Sequence, residues 1–181
     1  MKKIYLIRHC KAEGQEPEAA LTKEGEEQAE RLADLLSETE EPIELVVTSP
    51  YARAIASIKP YCARRHLGWS VDERLKERVL STADLPDWME RLKHTYEDMD
   101  AVYEGGESSR EAMARGTAVV EEIMAGPQSC AAVVTHGALM SLIIRSVDPA
   151  FGFEEWSTLS NPDVYALSVQ DGRREIKRVW K

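Results

Sequence analysis

The chain has 181 residues, 43% of them hydrophobic and 30% charged, and a formal net charge of −9. That length suffices for one domain with a full core, and no apolar run approaches the roughly 20 residues a membrane-crossing helix needs. The acidic balance argues against nonspecific nucleic-acid binding, which relies on Lys and Arg neutralising backbone phosphates.

The opening MKKIYLIRHC reaches Arg8 after four apolar residues, too few for an export signal, so it reads as a first strand and a cytoplasmic protein is expected. Three cysteines (Cys10, Cys62, Cys130) without metal-ligand spacing suit reduced thiols. Residues 11–21 form a polar loop. Thr22 is placed to cap a helix whose apolar positions Ala29, Leu32, Ala33 and Leu36 recur at helical spacing. ELVVTS (44–49) is a second strand. Ser49 and Pro50 then read as N-cap and first residue of a helix that Pro60 ends or kinks.

A short strand is expected at 69–73, then helices around 84–98 and 108–125 with EGGES between them. A strand at 131–135 leads into a helix beginning near Gly137. VYALSV and REIKRVW flank Asp171-Gly172, a hairpin signal. Strands alternating with helices imply a three-layer α/β/α sandwich with a mostly parallel sheet and an antiparallel edge strand. No repeat or linker interrupts the chain, so residues 1–181 are read as one domain.

Two apolar strands, IYLI and AAVVT, each deliver a histidine at the carboxyl end, where open parallel sheets collect their chemistry. Arg8 and His9 follow the first strand, and His136 follows the other at a helix amino terminus, a natural anion site. Neutral imidazole is nucleophilic, so His9 can accept a phosphoryl group, with neighbouring cations keeping it unprotonated. Arg53 lies four residues after Ser49, and its side chain leans back toward the helix start and the same crevice. His66 and His94 lie among charged residues and receive no role.

RHC, SPYARA, THG and GGES together resemble the histidine phosphatase (phosphoglycerate mutase-like) superfamily, in its small phosphatase branch. The resemblance spans nearly the whole chain. It implies a metal-independent phosphatase, with no cofactor, hydrolysing small-molecule phosphomonoesters through a phosphohistidine on His9. Arg8, Arg53 and His136 would hold the phosphate, with His136 also catalytic, and Glu77 in DERLKER matches the general acid. Asp72 and Glu73 are near enough to compete for that last assignment. Cys10, Lys11, Thr22, Glu107 and Ser108 are candidate pocket residues, although Thr22 and Ser108 read chiefly as helix caps and Asn161 as a turn former. The expected partner is a small phosphorylated substrate, with no nucleic acid and no membrane.

The chain departs from the family pattern at several points. Cys10 stands where the family has glycine, and a thiol beside an anion site is expected to be more acidic than usual. The asparagine many members carry in the following loop is not visible in KAEGQEPEAAL, and RVLSTADLPDW replaces a Gly-Trp-Gly-like stretch. The chain also lacks room for the mutases' capping insertions, which favours a phosphatase over a mutase. A phosphohistidine or phosphoprotein phosphatase is the alternative enzyme, and a phospho-ligand-binding module the non-enzyme alternative.

Overall fold

A computed structural model describes residues 1–181. Its elements are β1 (Lys2–Arg8), α1 (Lys23–Ser37), β2 (Leu45–Thr48), α2 (Ala52–Arg65), β3 (Ser70–Val71), α3 (Trp88–Glu97), α4 (Ser109–Ala125), β4 (Cys130–Thr135), α5 (Gly137–Val147), α6 (Phe153–Ser157), β5 (Asp163–Gln170) and β6 (Arg173–Arg178). The strands form one sheet in the order β3-β2-β4-β1-β5-β6. β3, β2, β4 and β1 are mutually parallel, and β5 and β6 extend one edge through antiparallel pairing. The mostly parallel sandwich expected from the alternating pattern is what forms.

Both sheet faces are covered. Ile4 and Leu6 pack with Val133 against α4 and α5, whereas Tyr5 and Ile7 pack with Val134 against α1 and α2. A strand buried on both faces needs apolar side chains at every position, which is why IYLI and AAVV read as continuous runs. No helix is long and apolar enough to cross a membrane.

Several local expectations need correction. The short strand at 69–73 shrinks to Ser70–Val71, followed by a 3-10 turn at Glu73–Leu75. The helix after β2 begins at Ala52 instead of Pro50, because the Ser49 hydroxyl is engaged elsewhere and the Pro17 carbonyl accepts the Ala52 N–H. It also runs through Pro60 to Arg65, ending where His66 turns left-handed with φ 51°. Pro60 lacks an N–H and its ring crowds the Ala56 carbonyl, but the surrounding packing of Ile58, Tyr61 and Cys62 offsets that cost. α6 was not expected at all. The Asp171-Gly172 turn has φ 51° and 77°, the pair of positive values a tight hairpin requires.

Thr22 is a cap and not a pocket residue: its Oγ1 accepts the Gly25 N–H at 2.9 Å. Thr22→Ala is expected to lower unfolding free energy by about 1 kcal/mol and to leave KM for any phosphate ester unchanged. Chemical denaturation alongside steady-state kinetics checks both.

Candidate active site

Three adjacent parallel strands bring the site together. Arg8 pairs with Thr135 in register, Thr48 pairs with Val134, and the chain then leaves each strand at the same height. His9, His136 and Ser49 are therefore the first residues beyond neighbouring strand ends. A backbone bond from the His9 N–H to the Thr135 carbonyl, 3.1 Å, fixes the exit of β1. The Asn161 side chain, at the approach to β5, donates to the His9 carbonyl at 2.9 Å. That amide was expected only to form a turn; it also anchors the histidine.

His9 is nine-tenths buried, and its Nδ1 lies 2.7 Å from the Cys10 carbonyl. A carbonyl can only accept, so Nδ1 carries the proton and Nε2 is left with its lone pair. Arg53 Nε donates to that lone pair at 3.3 Å. Burial, and then the charges of Arg53 and Arg8, push the His9 pKa down to about 4, against the pull of the Cys10 carbonyl. His9 is accordingly a neutral imidazole at neutral pH.

His136 is fully buried, with ring centroid 5.1 Å from that of His9 and 4.9 Å from Tyr51, both edge-on. Its Nε2 lies 2.8 Å from Ser49 Oγ, while its buried Nδ1 has no partner. Burial first, then His9, Arg53 and Arg8, push its pKa down to about 2.

The arginines are held by backbone carbonyls and keep donors in reserve. Arg8 Nη1 donates to Leu159 and Ser160, leaving the buried Nε without a partner. A methyl group on residue 137 would sit 2.9 Å from Arg8 Cζ, so only glycine lets the guanidinium lie against the start of α5. Arg53, 2% exposed, donates from Nη1 to Gln15 and Glu16, with its guanidinium 4.9 Å from the Tyr51 ring. Burial lowers the pKa of both arginines, with Glu77 opposing the shift in each case.

Glu77 sits at the amino terminus of α5. Its Oε1 accepts from Leu139 N at 2.9 Å and Arg78 N at 2.7 Å, and its Oε2 accepts from Ala138 N at 3.1 Å. Of the neighbouring carboxylates, Asp72 is tied to Arg74 and Glu73 pairs with Lys76, which leaves Glu77 the one at the strand-end cluster. Glu77 and Arg8 border a cavity of about 550 Å³. A larger cavity of about 710 Å³ between α1 and α2 includes none of these residues. No group of three or more His, Cys, Asp or Glu side chains is arranged to hold a metal ion.

Of the remaining candidates, Glu107 borders a smaller cavity with Glu77 and Tyr51. The Cys10 thiol is fully buried in the core against α1 and α2, and burial pushes its pKa up to about 11, opposite to the acidity expected. Lys11 is exposed and pairs with Glu24. Glu107 pairs with Arg115 at 2.8 Å and accepts the Val79 N–H, bracing the loop beside Glu77. Ser108 caps α4 through the Glu111 N–H. Sequence reasoning missed Ser49 as a partner of His136. It also missed Ser57, whose hydroxyl accepts the Cys10 N–H at 2.8 Å, and Arg115, which donates to the Glu77 carbonyl at 3.2 Å.

The family model for the histidine phosphatase superfamily (branch 1) matches residues 4–181, and the chain belongs to that superfamily. No curated protein matches the sequence. Solved structures share the fold. A mycobacterial glucosyl-3-phosphoglycerate phosphatase is 24% identical with a TM-score of 0.76, covering 98% of this chain and 96% of its own. YhfR from Bacillus stearothermophilus is 20% identical with a TM-score of 0.79, covering 98% and 96%. An H9A mutant of a phosphoserine phosphatase from Entamoeba histolytica, in complex with phosphoserine, is 18% identical with a TM-score of 0.75, covering 97% and 95%.

Because both histidines are neutral when folded but ordinary when unfolded, acid destabilises the fold. The unfolded chain takes up protons at each histidine from about pH 6.5 downward while folded His9 resists until about 4 and His136 until about 2. The stability is complete above 6.5 and falls as pH drops toward 4, by on the order of 3 kcal/mol per histidine. Urea denaturation at pH 7 and pH 4.5 should show a smaller acid loss in His9→Gln/His136→Gln than in wild type; equal losses contradict this.

Proposed function

We propose that the protein is a phosphoric monoester hydrolase acting on small phosphorylated molecules through a phosphohistidine at His9 Nε2. The supporting observation is a lone pair on a neutral imidazole surrounded by donors that lack partners. Arg8 Nε and His136 Nδ1 are both buried and unpartnered, and Arg53 already points a donor at Nε2. A buried donor without a partner is costly, and the equatorial oxygens of a transferring phosphoryl group supply the missing acceptors.

Each residue then has a task. Nε2 attacks phosphorus in line as the P–O bond to the leaving group breaks. Arg8 and Arg53 spread positive charge over the equatorial oxygens. With the Ser49 hydroxyl donating to Nε2 of His136, the His136 proton resides on Nδ1, which donates a hydrogen bond to a phosphoryl oxygen and keeps its proton. Glu77 protonates the departing alkoxide, which cannot leave unaided. The same carboxylate then takes a proton from water as its oxygen attacks phosphorus. The P–N bond breaks, and inorganic phosphate and neutral His9 are regenerated. The two mycobacterial and Entamoeba relatives named as phosphatases support the small-molecule reading.

Rapid quench with a radioactive phosphate ester should trap acid-labile, base-stable label on wild type and none on His9→Ala; label persisting on that variant refutes the assignment. Replacing either Arg53 or His136 by alanine should cost on the order of 10²–10³ in rate, the usual loss for one preorganised charge stabiliser.

Glu77 is tested through the leaving group. In Glu77→Gln the pre-steady-state burst from an alkyl phosphate should collapse, while the burst from nitrophenyl phosphate, whose phenolate leaves without a proton, should fall much less. Equal losses would reduce Glu77 to a positioning residue.

A further inference from the structure

The cavity beside Glu77 is larger than a phosphoryl group needs, and nothing in the chemistry above uses most of its wall. At about 550 Å³ it falls in the ordinary range for small-molecule sites. Arg8 and Glu77, which have roles in the proposed transfer, are part of its wall. Leu80, Leu92, Trp88 from the start of α3 and Trp156 from α6 line it as well. Trp88 stays 48% exposed, and Val79 beside the same loop 42%. A wall carrying two indoles favours a flat or extended apolar body over a small hydrated one.

Arg78 also lines the cavity, is 6% exposed and forms no ion pair with a carboxylate. Its Nη1 donates to Ser109 Oγ at 2.8 Å and Thr95 Oγ1 at 3.3 Å, and its Nη2 donates to the Glu107 carbonyl at 2.8 Å. A guanidinium has five N–H donors. Three are satisfied, and two remain, including the one on the buried, unpartnered Nε. A purely structural arginine at this depth would be expected to use them. Nε and Nη2 share one edge of the fork, and two donors on one edge match the two oxygens of a carboxylate.

We infer that this cavity receives the leaving group of the ester, and that the leaving group presents a flat apolar ring to Trp88 and Trp156 and a carboxylate to Arg78. The inference rests on the phosphatase reading for the position of the phosphate, but its recognition chemistry is separate from the transfer step. It assigns the protein a substrate class, aromatic or similarly flat phosphate esters bearing a carboxylate.

Phosphonates test this because their P–C bond is not hydrolysed, so inhibition reads binding alone. Methylphosphonate, benzylphosphonate and 4-carboxybenzylphosphonate would be compared as competitive inhibitors of nitrophenyl phosphate hydrolysis. The expected inhibition constants improve by about tenfold at each step, the scale of one buried aromatic contact and one charge-assisted pair. Trp88→Ala should erase most of the benzyl advantage and Arg78→Lys most of the carboxylate advantage. Because Trp88 is half exposed, its variant keeps the fold even if the arginine variant does not. Equal constants for the three compounds on wild type overturn the inference, and so does a carboxylate advantage that survives Arg78→Lys. If nitrophenyl phosphate is not hydrolysed at all, the phosphatase reading fails instead. Calorimetric binding of the same three phosphonates then decides the cavity on its own, by the same ranking.

Discussion

The rest of the site depends on keeping two imidazoles uncharged among arginines. His9 and His136 are in edge contact, buried, and flanked by Arg8 and Arg53. Each protonation would add a further positive charge to a region already cationic and poorly solvated, so burial and repulsion act in the same direction. The consequence for His9 is a permanent lone pair. The consequence for the cluster is an unmet demand for negative charge, which under the proposed function a phosphate dianion would meet. Binding and nucleophilicity thus have one electrostatic origin.

That demand survives because the scaffold satisfies the arginines with dipoles instead of carboxylates. Leu159, Ser160, Gln15 and Glu16 offer backbone carbonyls to Arg8 and Arg53. Glu77, the carboxylate closest to acting as a counterion, is itself held by backbone N–H groups at the start of α5. Carboxylate pairs occur one layer out, where Arg115 joins Glu107 and Arg178 joins the buried Asp163. The first braces a loop, and the second ties the end of β6 to the start of β5. Direct pairing of Arg8 or Arg53 with a carboxylate would have neutralised the positive charge of the cluster.

Much of this was legible in the sequence. Strands buried on both faces announce themselves as unbroken apolar runs, and β1 and β4 place their terminal histidines side by side because they are neighbours in the sheet. Arg8, His9 and His136 were picked out by position at strand ends, and Arg53 by the resemblance of SPYARA to the family pattern. The supporting polar groups were not legible. Ser49 looks like a helix cap, and its engagement with His136 depends on β2 and β4 being adjacent, which no local pattern encodes. Asn161 reaches His9 across 152 positions of chain, and Ser57 reaches Cys10 across 47. Cys10 was misjudged because adjacency to His9 suggested the pocket. Its thiol instead points into the core, where burial makes it less acidic. Arg78 was invisible for the same reason as Ser49, since its partners come from two distant segments, α3 and the start of α4.

The central claim is that His9 rests as the neutral tautomer protonated on Nδ1 with Nε2 unprotonated. Proton–nitrogen correlation spectra of the protein labelled with ¹⁵N-histidine read this directly at pH 7, with His9→Gln assigning the resonance. The account predicts a protonated-type shift at Nδ1 and an unprotonated-type shift at Nε2. An imidazolium, or a proton resident on Nε2, would contradict it.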